Sequence, residues 1–583
     1  MSQMHKGDVV EGTIAELRFP NKGLLRVGEG PSCVEIQVKD TLPGQRVAAR
    51  ITRKRSGHYE AALLAVLEPS PAEIPSPCPK FGICGGCQYQ SLPPKEELRL
   101  KEKQMRELLA GADPDVDRWY EGILESPVTE GYRNRMELTF GDDRKDGPLT
   151  LGMHRRSSFY DVVDADACRI VDGDFRKIIR ASRDFWAGTG VPFYHRLRRE
   201  GYLRHLIIRK GRKTGQILID LVTTGQTDAL PAGETVTARP EETARERELP
   251  VPEARADVLS DPSGQLPGQK FLFDDTATRE RVLLEDFAAV LLSLDLDGTI
   301  CGILHTRNDS IADIVEDQGT EILYGKSSFK EELLGLTFTV TPFSFFQTNS
   351  AGAELLYETA RAYIMQTKPQ EVRKSPNDAR CLPGEEGGIS YTGENLPETT
   401  AAGRKPVIFD LYCGTGTISL LVAPAASKVI GVEIVEEAVL AARENARRNG
   451  ISNCEFIAGD VLKVIDAIEE KPDLIILDPP RDGVHPKALP KILRYGVPYI
   501  LYISCKPTSL ARDLPVLREW GYAPLRGVSI NQFPRTANVE TVVLMSNEKS
   551  KPDSCIDMTV DVSDIRRRTA GESPVGEDHI HSI

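Results

Sequence analysis

Between Val407 and Cys505 the sequence alternates short, uninterrupted apolar runs with polar stretches of helical period. In order they read VIFDLYCGTGTISLLVA, KVIGVEI, VEEAVLAARENARRNG, CEFIAGD, PDLIILDPP and YILYISC. Apolar runs without polar alternation need burial on both faces, and a helix between successive strands makes their order parallel. These segments therefore predict consecutive βα units of a doubly wound, Rossmann-like α/β sheet. In such a sheet ligands sit in the crevice at the carboxyl ends of the strands. The polar residues that end the runs fall there: Asp410 to Thr417, Glu433, Asp460, Asp478 and Cys505.

These strand ends describe a pocket. Gly414 and Gly416 permit a tight turn beside a ligand. Glu433 ends the second strand, where a carboxylate accepts two hydrogen bonds from a ribose diol. Gly459-Asp460 ends the third and suits an adenine amino group. A dinucleotide site would place a third glycine at the helix start, facing a pyrophosphate. Ser419 takes that place, so the pocket favours a nucleoside without phosphates. The fourth strand ends in Asp478-Pro-Pro-Arg481, and the fifth in Ser504-Cys505 followed by Lys506 and Pro507. Packing is the ordinary role of a buried cysteine. A chemical role needs partners from elsewhere in the chain.

A chain of 583 residues exceeds one core and predicts three or four domains. Residues 6 to 67 alternate apolar and polar positions between Gly and Pro punctuation, the pattern of a small all-β barrel. PSPAEIPSPCP reads as a linker, and PKEELRLKEKQMRELLAGA as a helix. Runs such as RMELTFG and LIIRKGRKTGQILIDLVTT predict an antiparallel sheet in a central α+β domain. Residues 227–280 and 367–405 are rich in Pro, Glu, Gly and Thr and read as disordered insertions, as does the tail after Asn547. The expected domains are thus 1–68, 69–340, 341–547 and a tail at 548–583.

No apolar run of membrane-spanning length and no signal peptide is evident, so a cytoplasmic protein without a membrane partner is expected. No obligate protein partner is evident either. The formal net charge of -13 argues against nucleic acid. Residues 196–213, RLRREGYLRHLIIRKGRK, run the other way, with eight Lys or Arg against one Glu. They read either as a phosphate-binding surface or as a solvated face. Eleven cysteines without a secretory signal point to thiols, metal ligands or a nucleophile. Cys78, Cys84 and Cys87 are closely spaced among glycines, with Cys168 as a possible fourth ligand. Four thiolates suit zinc or an iron–sulfur cluster, and unligated thiols are the third option.

DPPR at 478–481, SC-x-P-x-x-L-A-R-D-L at 504–514, FP-x-T-x-x-V-E-T-V at 533–542 and PFSFFQTN at 342–349 together resemble the RNA 5-methyluridine (uracil-5) methyltransferase family. The N-terminal β segment resembles the TRAM domain, an OB-like RNA-binding barrel. The resemblance implies S-adenosylmethionine as methyl donor, Cys505 as nucleophile and Glu540 as base. Gln347, Tyr412, Glu433 and Asp478, with Thr417 and Asp460, would contact the donor or the target base. It also implies a [4Fe-4S] cluster on Cys78, Cys84, Cys87 and Cys168, and 23S ribosomal RNA as substrate. Many relatives carry Asn where this chain has Lys506.

The chemistry explains the residue types. Uracil C5 becomes nucleophilic only after a thiolate adds to C6, and a base must then remove the C5 proton. Placement at a helix start beside Lys506 is expected to favour the Cys505 thiolate. The alternatives are tRNA 5-methyluridine formation, RNA 5-methylcytidine formation, or a non-catalytic RNA-binding protein that keeps the fold.

Overall fold

The computed structural model describes residues 4–27, 33–55, 58–231, 276–312, 314–365 and 405–548. Most of both expected insertions, and the tail from 549, lie outside the described residues. At the edge of the first insertion the expectation fails: Thr276–Leu292 is helical, with Glu280 buried and paired to Arg307 at 2.6 Å. Leu284, Phe287 and Leu291, at helical spacing, give this segment a core face that its Pro- and Glu-rich neighbours lack.

Strands β1 (Val9–Arg18), β2 (Lys22–Val27), β3 (Val34–Lys39), β4 (Arg46–Arg55) and β5 (His58–Glu68) close into a barrel in the order β1-β2-β3-β5-β4. Its interior is Ile14, Leu25, Ile36, Val38, Val47 and Ile51, the inward half of each alternating run. The expected barrel is present.

Next come α1 (Pro94–Ala110), α2 (Val116–Trp119) and β6 (Tyr120–Leu124). The central sheet holds β7 (Arg135–Asp142), β8 (Leu149–His154), β9 (Val162–Asp164), β10 (Leu203–Lys210), β11 (Gln216–Thr223), β12 (Thr299–Arg307) and β13 (Thr320–Gly325), in the order β13-β12-β11-β10-β7-β8-β9. It is packed by α3 (Gly173–Thr189) and α4 (Thr276–Leu292) around Trp186, Phe175 and Phe287. The expectation of an antiparallel sheet holds except at β11 and β12, which are parallel. The long connection between them makes that crossover possible.

The hairpin β14 (Phe329–Leu333) and β15 (Leu336–Val340) and helix α5 (Ser350–Met365) lead into the last unit. That unit contains β16 (Val407–Leu411), α6 (Thr417–Val422), β17 (Lys428–Glu433), α7 (Glu436–Arg448), β18 (Cys454–Ala458), α8 (Val461–Val464), β19 (Leu474–Leu477), α9 (Ala488–Leu493), β20 (Tyr499–Ser504), α10 (Pro507–Glu519), β21 (Tyr522–Ile530) and β22 (Glu540–Asn547). Its sheet runs β18-β17-β16-β19-β20-β22-β21-β6. The first five strands are parallel, as their apolar runs predict; β22 pairs antiparallel with β20 and β21.

Short elements of the stretch expected as the central domain pack against the last sheet. Strand β6 adds to the edge of the last sheet, parallel to β21, and Met105 and Leu109 of α1 pack into the core beneath it. The hairpin β14-β15 likewise contributes Phe329, Leu333 and Phe338 to the other face of that sheet. Sequence order hides this because these short elements precede or follow the central sheet in the chain. Among the described residues no helix is long and apolar enough to cross a membrane.

The basic stretch at 196–213 is neither of its expected forms throughout. Arg204 and Arg209 are buried and donate to backbone carbonyls. Lys210 bridges Asp172 and Asp174, each at 2.6 Å, and Lys213 pairs with Glu354. Half of the positive run is structural.

One buried ionic network joins α1 to the last sheet. Lys101 and Glu97 are almost inaccessible and lie 2.9 Å apart. Lys101 also donates to Asn531 Oδ1, while Glu97 accepts from the Arg535 backbone N–H at 2.8 Å. Burial lowers the Lys101 pKa, and the Glu97 charge opposes that shift. Removing one partner leaves an uncompensated charge, a loss of about 3–5 kcal/mol. Glu97→Gln is expected to lower stability by that order in urea unfolding, and Lys101→Met added to it should recover most of the loss. An unchanged unfolding midpoint for Glu97→Gln would refute this account of the network.

Candidate active site

Strand β16 ends in Leu411, and the chain turns through Tyr412 (φ 73°), Gly414 (φ 54°) and Gly416 (φ 79°) into α6. Left-handed backbone is uncommon for a tyrosine. Here the Tyr412 N–H donates to Val432 O at 2.9 Å, which ties the turn to β17. At Gly416 a Cβ would sit 2.9 Å from both Ala442 Cβ and Phe456 Cζ, so the approach of α7 and β18 requires glycine.

Glu433, at the end of β17, stitches two strand ends together: Oε2 accepts from Gly414 N at 3.0 Å and Oε1 from Val435 N at 3.0 Å. Its carboxylate is thereby fixed in the crevice. Asp460 caps α8, accepting from Leu462 N. The Tyr412 phenol is pushed up to about 12, first by burial and then by the charges of Asp460 and Asp513, so Tyr412 and Asp460 belong to one neighbourhood. Thr417 is buried in the first turn of α6. Ser419, which replaces the third glycine of a dinucleotide motif, donates to the buried Asp410. Burial raises Asp410 to about 6.

The second half of the crevice is built by strand register. Leu477 pairs with Tyr502, and Ser504 pairs antiparallel with Thr541. Asp478 and Cys505 therefore follow adjacent strand ends, and Glu540 stands across from Cys505 at the start of β22. Asp478 acts on both Glu540 and Cys505, and Glu540 acts on Cys505. Glu540, 2 % exposed, is raised to about 8 by burial and then by Asp478, with Arg481 acting against the shift. Asp478 is raised to about 7 by burial and the Asp410 charge. Cys505 is pushed up to about 11 by burial, then by Glu540 and Asp478.

This corrects the expectation of a favoured thiolate at Cys505. The thiol sits at the start of α10 as expected, but burial and two carboxylates outweigh the helix end. Lys506 points away, toward Asp482 at 3.9 Å. The cation that does lower the thiol pKa is Arg481.

Gln347 is nearly buried and hydrogen-bonds the hydroxyl of Tyr357 on α5. Tyr357 was not singled out from the sequence, yet its phenol is raised by burial and by Asp478, Glu540 and Asp410, so it lines the same crevice. Helical spacing within an apolar stretch conceals such a residue. Arg481 was visible in the sequence only as the last residue of DPPR, with no role assigned to it. Phe345, two residues before Gln347, is 69 % exposed, and its motif was the available signal.

The cysteine quartet lies elsewhere. All four thiols are free. Burial raises Cys84, Cys87 and Cys168, and each also feels other members of the quartet, Cys78 included. The four that sequence grouped thus lie within electrostatic range of one another. Among the described residues, however, no three or more His, Cys, Asp or Glu side chains stand as a group that could hold a metal ion.

A methyltransferase-domain family model matches residues 404–519. An uncharacterized RNA methyltransferase of Clostridium tetani (strain Massachusetts / E88) is 40% identical over 93% of this chain and 98% of that protein. Another, from Caldanaerobacter subterraneus subsp. tengcongensis, is 39% identical over 94% of this chain and 100% of that one. Among solved structures, a Pyrococcus abyssi tRNA (uracil-54, C5)-methyltransferase in complex with S-adenosyl-L-homocysteine aligns with a TM-score of 0.59 at 22% identity, covering 92% of this chain and 100% of that chain. At that identity the likeness shows the fold.

The buried Glu540 makes a prediction about stability. Its folded pKa of about 8 lies above the roughly 4.3 of an unfolded glutamate, so the folded state binds the proton more tightly. That contribution is complete below the unfolded value and is lost as pH rises through about 8. Glu540→Gln removes the loss. The variant should gain stability over the parent, on the order of a few kcal/mol, between pH 5 and pH 9. Equal melting temperatures of variant and parent at both pH values would contradict the burial of an ionisable Glu540.

Proposed function

The chain belongs to the RNA methyltransferase family, and from that premise we propose that it methylates C5 of a uridine through a covalent adduct between Cys505 and C6 of the base. The observation that carries this reading is the register of β20 against β22, which sets a cysteine and a buried carboxylate across from each other at one strand end. A thiol nucleophile and a base of raised pKa are the two groups that C5 methylation of uracil requires.

S-adenosylmethionine supplies an electrophilic methyl group and a positive charge. Glu433 and Asp460 hold its ribose and adenine ends, with Tyr412 and Thr417 as the pocket wall. A cation bound beside Asp478 lowers the pKa of the neighbouring acids, which eases ionisation of Cys505. Gln347, oriented by Tyr357, reads the polar edge of the target base, and the exposed Phe345 offers it a stacking face.

The thiolate adds to C6, C5 takes the methyl group as its bond to the donor's sulfur breaks and leaves a neutral thioether, Glu540 accepts the C5 proton, and the C6–S bond breaks to return the thiolate. Arg481 favours the charged forms of both Cys505 and Glu540. A base whose pKa sits near neutrality suits proton removal better than an ordinary carboxylate.

Two finer readings go with this proposal. The four thiols have the donor chemistry of a [4Fe-4S] ligand set, and Cys78, Cys84, Cys87 and Cys168 would hold it. The family resemblance alone points to 23S ribosomal RNA as the substrate, with tRNA as the alternative. Protein prepared without oxygen should carry iron and sulfide in about equal amounts; stoichiometric zinc without iron would refute the cluster.

Losing the nucleophile or the base should stop the reaction at different points. Glu540→Gln is expected to add to C6 and accept the methyl group but to eliminate slowly, by about 100-fold or more. It should therefore leave a protein–RNA species that survives denaturing electrophoresis and carries donor methyl label. Cys505→Ala, alone or combined with it, should form none. A folded, RNA-binding Glu540→Gln protein without adduct would reassign the base, and an adduct in the double variant would remove Cys505 as nucleophile. Sequencing the trapped RNA identifies ribosomal or transfer RNA.

A further inference from the structure

Three arginines of the basic stretch at 196–213, Arg196, Arg198 and Arg199, lie on the hairpin before β10, where Arg198 and Arg199 are exposed. That hairpin forms one wall of a small cleft on the central domain, about 60 Å³ in volume and open to solvent. No residue of the catalytic unit lines it. The opposite wall is the end of β7, the end of β8 and the loop before β9.

The cleft presents aromatic and polar groups together: Tyr160, Tyr194, His154, His195, Asp142 and Arg196. Tyr194 is held against the Arg204 guanidinium, 4.7 Å from its ring centroid. Arg204 is itself buried, fixed by the carbonyls of Asn308, Ser310 and Ala312. This wall is rigid before any ligand arrives. Across it, Tyr160 and Phe159 are 57% and 78% exposed, a pair of aromatic side chains that the core does not use. Arg196 donates to Phe159 O at 3.3 Å and so ties the two lips together.

The cleft is also continuous with the cysteine loop and the barrel. Gly85 N donates to His154 O at 3.1 Å, and Arg156 N donates to Ile83 O at 2.7 Å. The Arg156 side chain donates to Cys87 O and lies 3.7 Å from Asp40 of the barrel. The cleft thus abuts the cysteine loop, which in turn meets the barrel.

We propose that this cleft binds an unpaired nucleobase of the RNA substrate, other than the base being methylated, stacking it on Tyr160 and placing its phosphate at Arg196. Aromatic faces with acceptors and donors at the edge and cations at the lip are the means by which single-stranded RNA is held. The proposal rests on RNA being the substrate and not on chemistry at uridine C5, so it stands or falls separately from the adduct.

The test uses the full chain and two probes, a short mixed-sequence single-stranded RNA and the same sequence as a duplex, with binding followed by fluorescence anisotropy across a salt series. Tyr160→Ala should weaken single-strand binding about tenfold, with the salt slope unchanged and duplex binding unaffected. Tyr160→Phe should bind as the parent does. Arg196→Ala should reduce the salt slope by about one. Retained S-adenosylhomocysteine binding checks that each variant is folded. Unchanged single-strand affinity in Tyr160→Ala, or equal weakening of the duplex, would overturn the proposal.

Discussion

The antiparallel pairing of β22 with β20 is the contact on which the site depends. Parallel βα units bring Asp478 and Cys505 to one edge, but they supply no buried carboxylate across from the thiol. That comes only because the last strand returns against the fifth, with Ser504 opposite Thr541, and begins at Glu540. A register slip of one residue would turn Glu540 to the other face of the sheet. The loop that precedes it is held accordingly. Arg535 accepts through its carbonyl from Gln88 and Tyr89 and gives its N–H to Glu97. The cysteine loop, helix α1 and the start of β22 are thus one hydrogen-bonded assembly.

Electrostatics at the site runs against the resting thiolate. Cys505, Asp478 and Glu540 share a desolvated pocket, in which Asp478 raises the proton affinity of both others and Glu540 that of Cys505. Burying several acids together costs stability, and such clusters are found where chemistry needs groups that titrate near neutrality. Arg481 is the one countercharge that the shifts of both Cys505 and Glu540 register. The site as it stands is poised for a cationic partner, in keeping with a sulfonium donor.

Much of this was legible in the sequence, for reasons that differ by region. The parallel strands announce themselves because burial on both faces forces continuous apolar runs, as in LIIL and VIFDL. The barrel does so through alternation. Site residues at strand ends were legible because topology alone fixes where they gather. What escaped were contacts between segments far apart in sequence. Nothing in Tyr120–Leu124 says that it completes a sheet whose other strands begin after residue 406. Tyr357 sits in a helix whose apolar spacing explains it without chemistry. Lys506 looked like the thiol's cation because it is adjacent in sequence, whereas its ammonium faces Asp482 and Arg481 supplies the charge. The arginines of 196–213 looked like one surface, and the fold turns Arg204 and Arg209 inward to satisfy carbonyls that water cannot reach.

The account turns on one atom, C5 of uridine, losing its hydrogen as it gains a methyl group. RNA labelled with tritium at uridine C5, incubated with the protein and S-adenosylmethionine, reports that exchange directly. The account predicts tritium release to water in a one-to-one ratio with methyl groups transferred, and neither event in the Cys505→Ala variant. Methyl transfer to the RNA with the tritium retained would place the methyl group on another atom and contradict it.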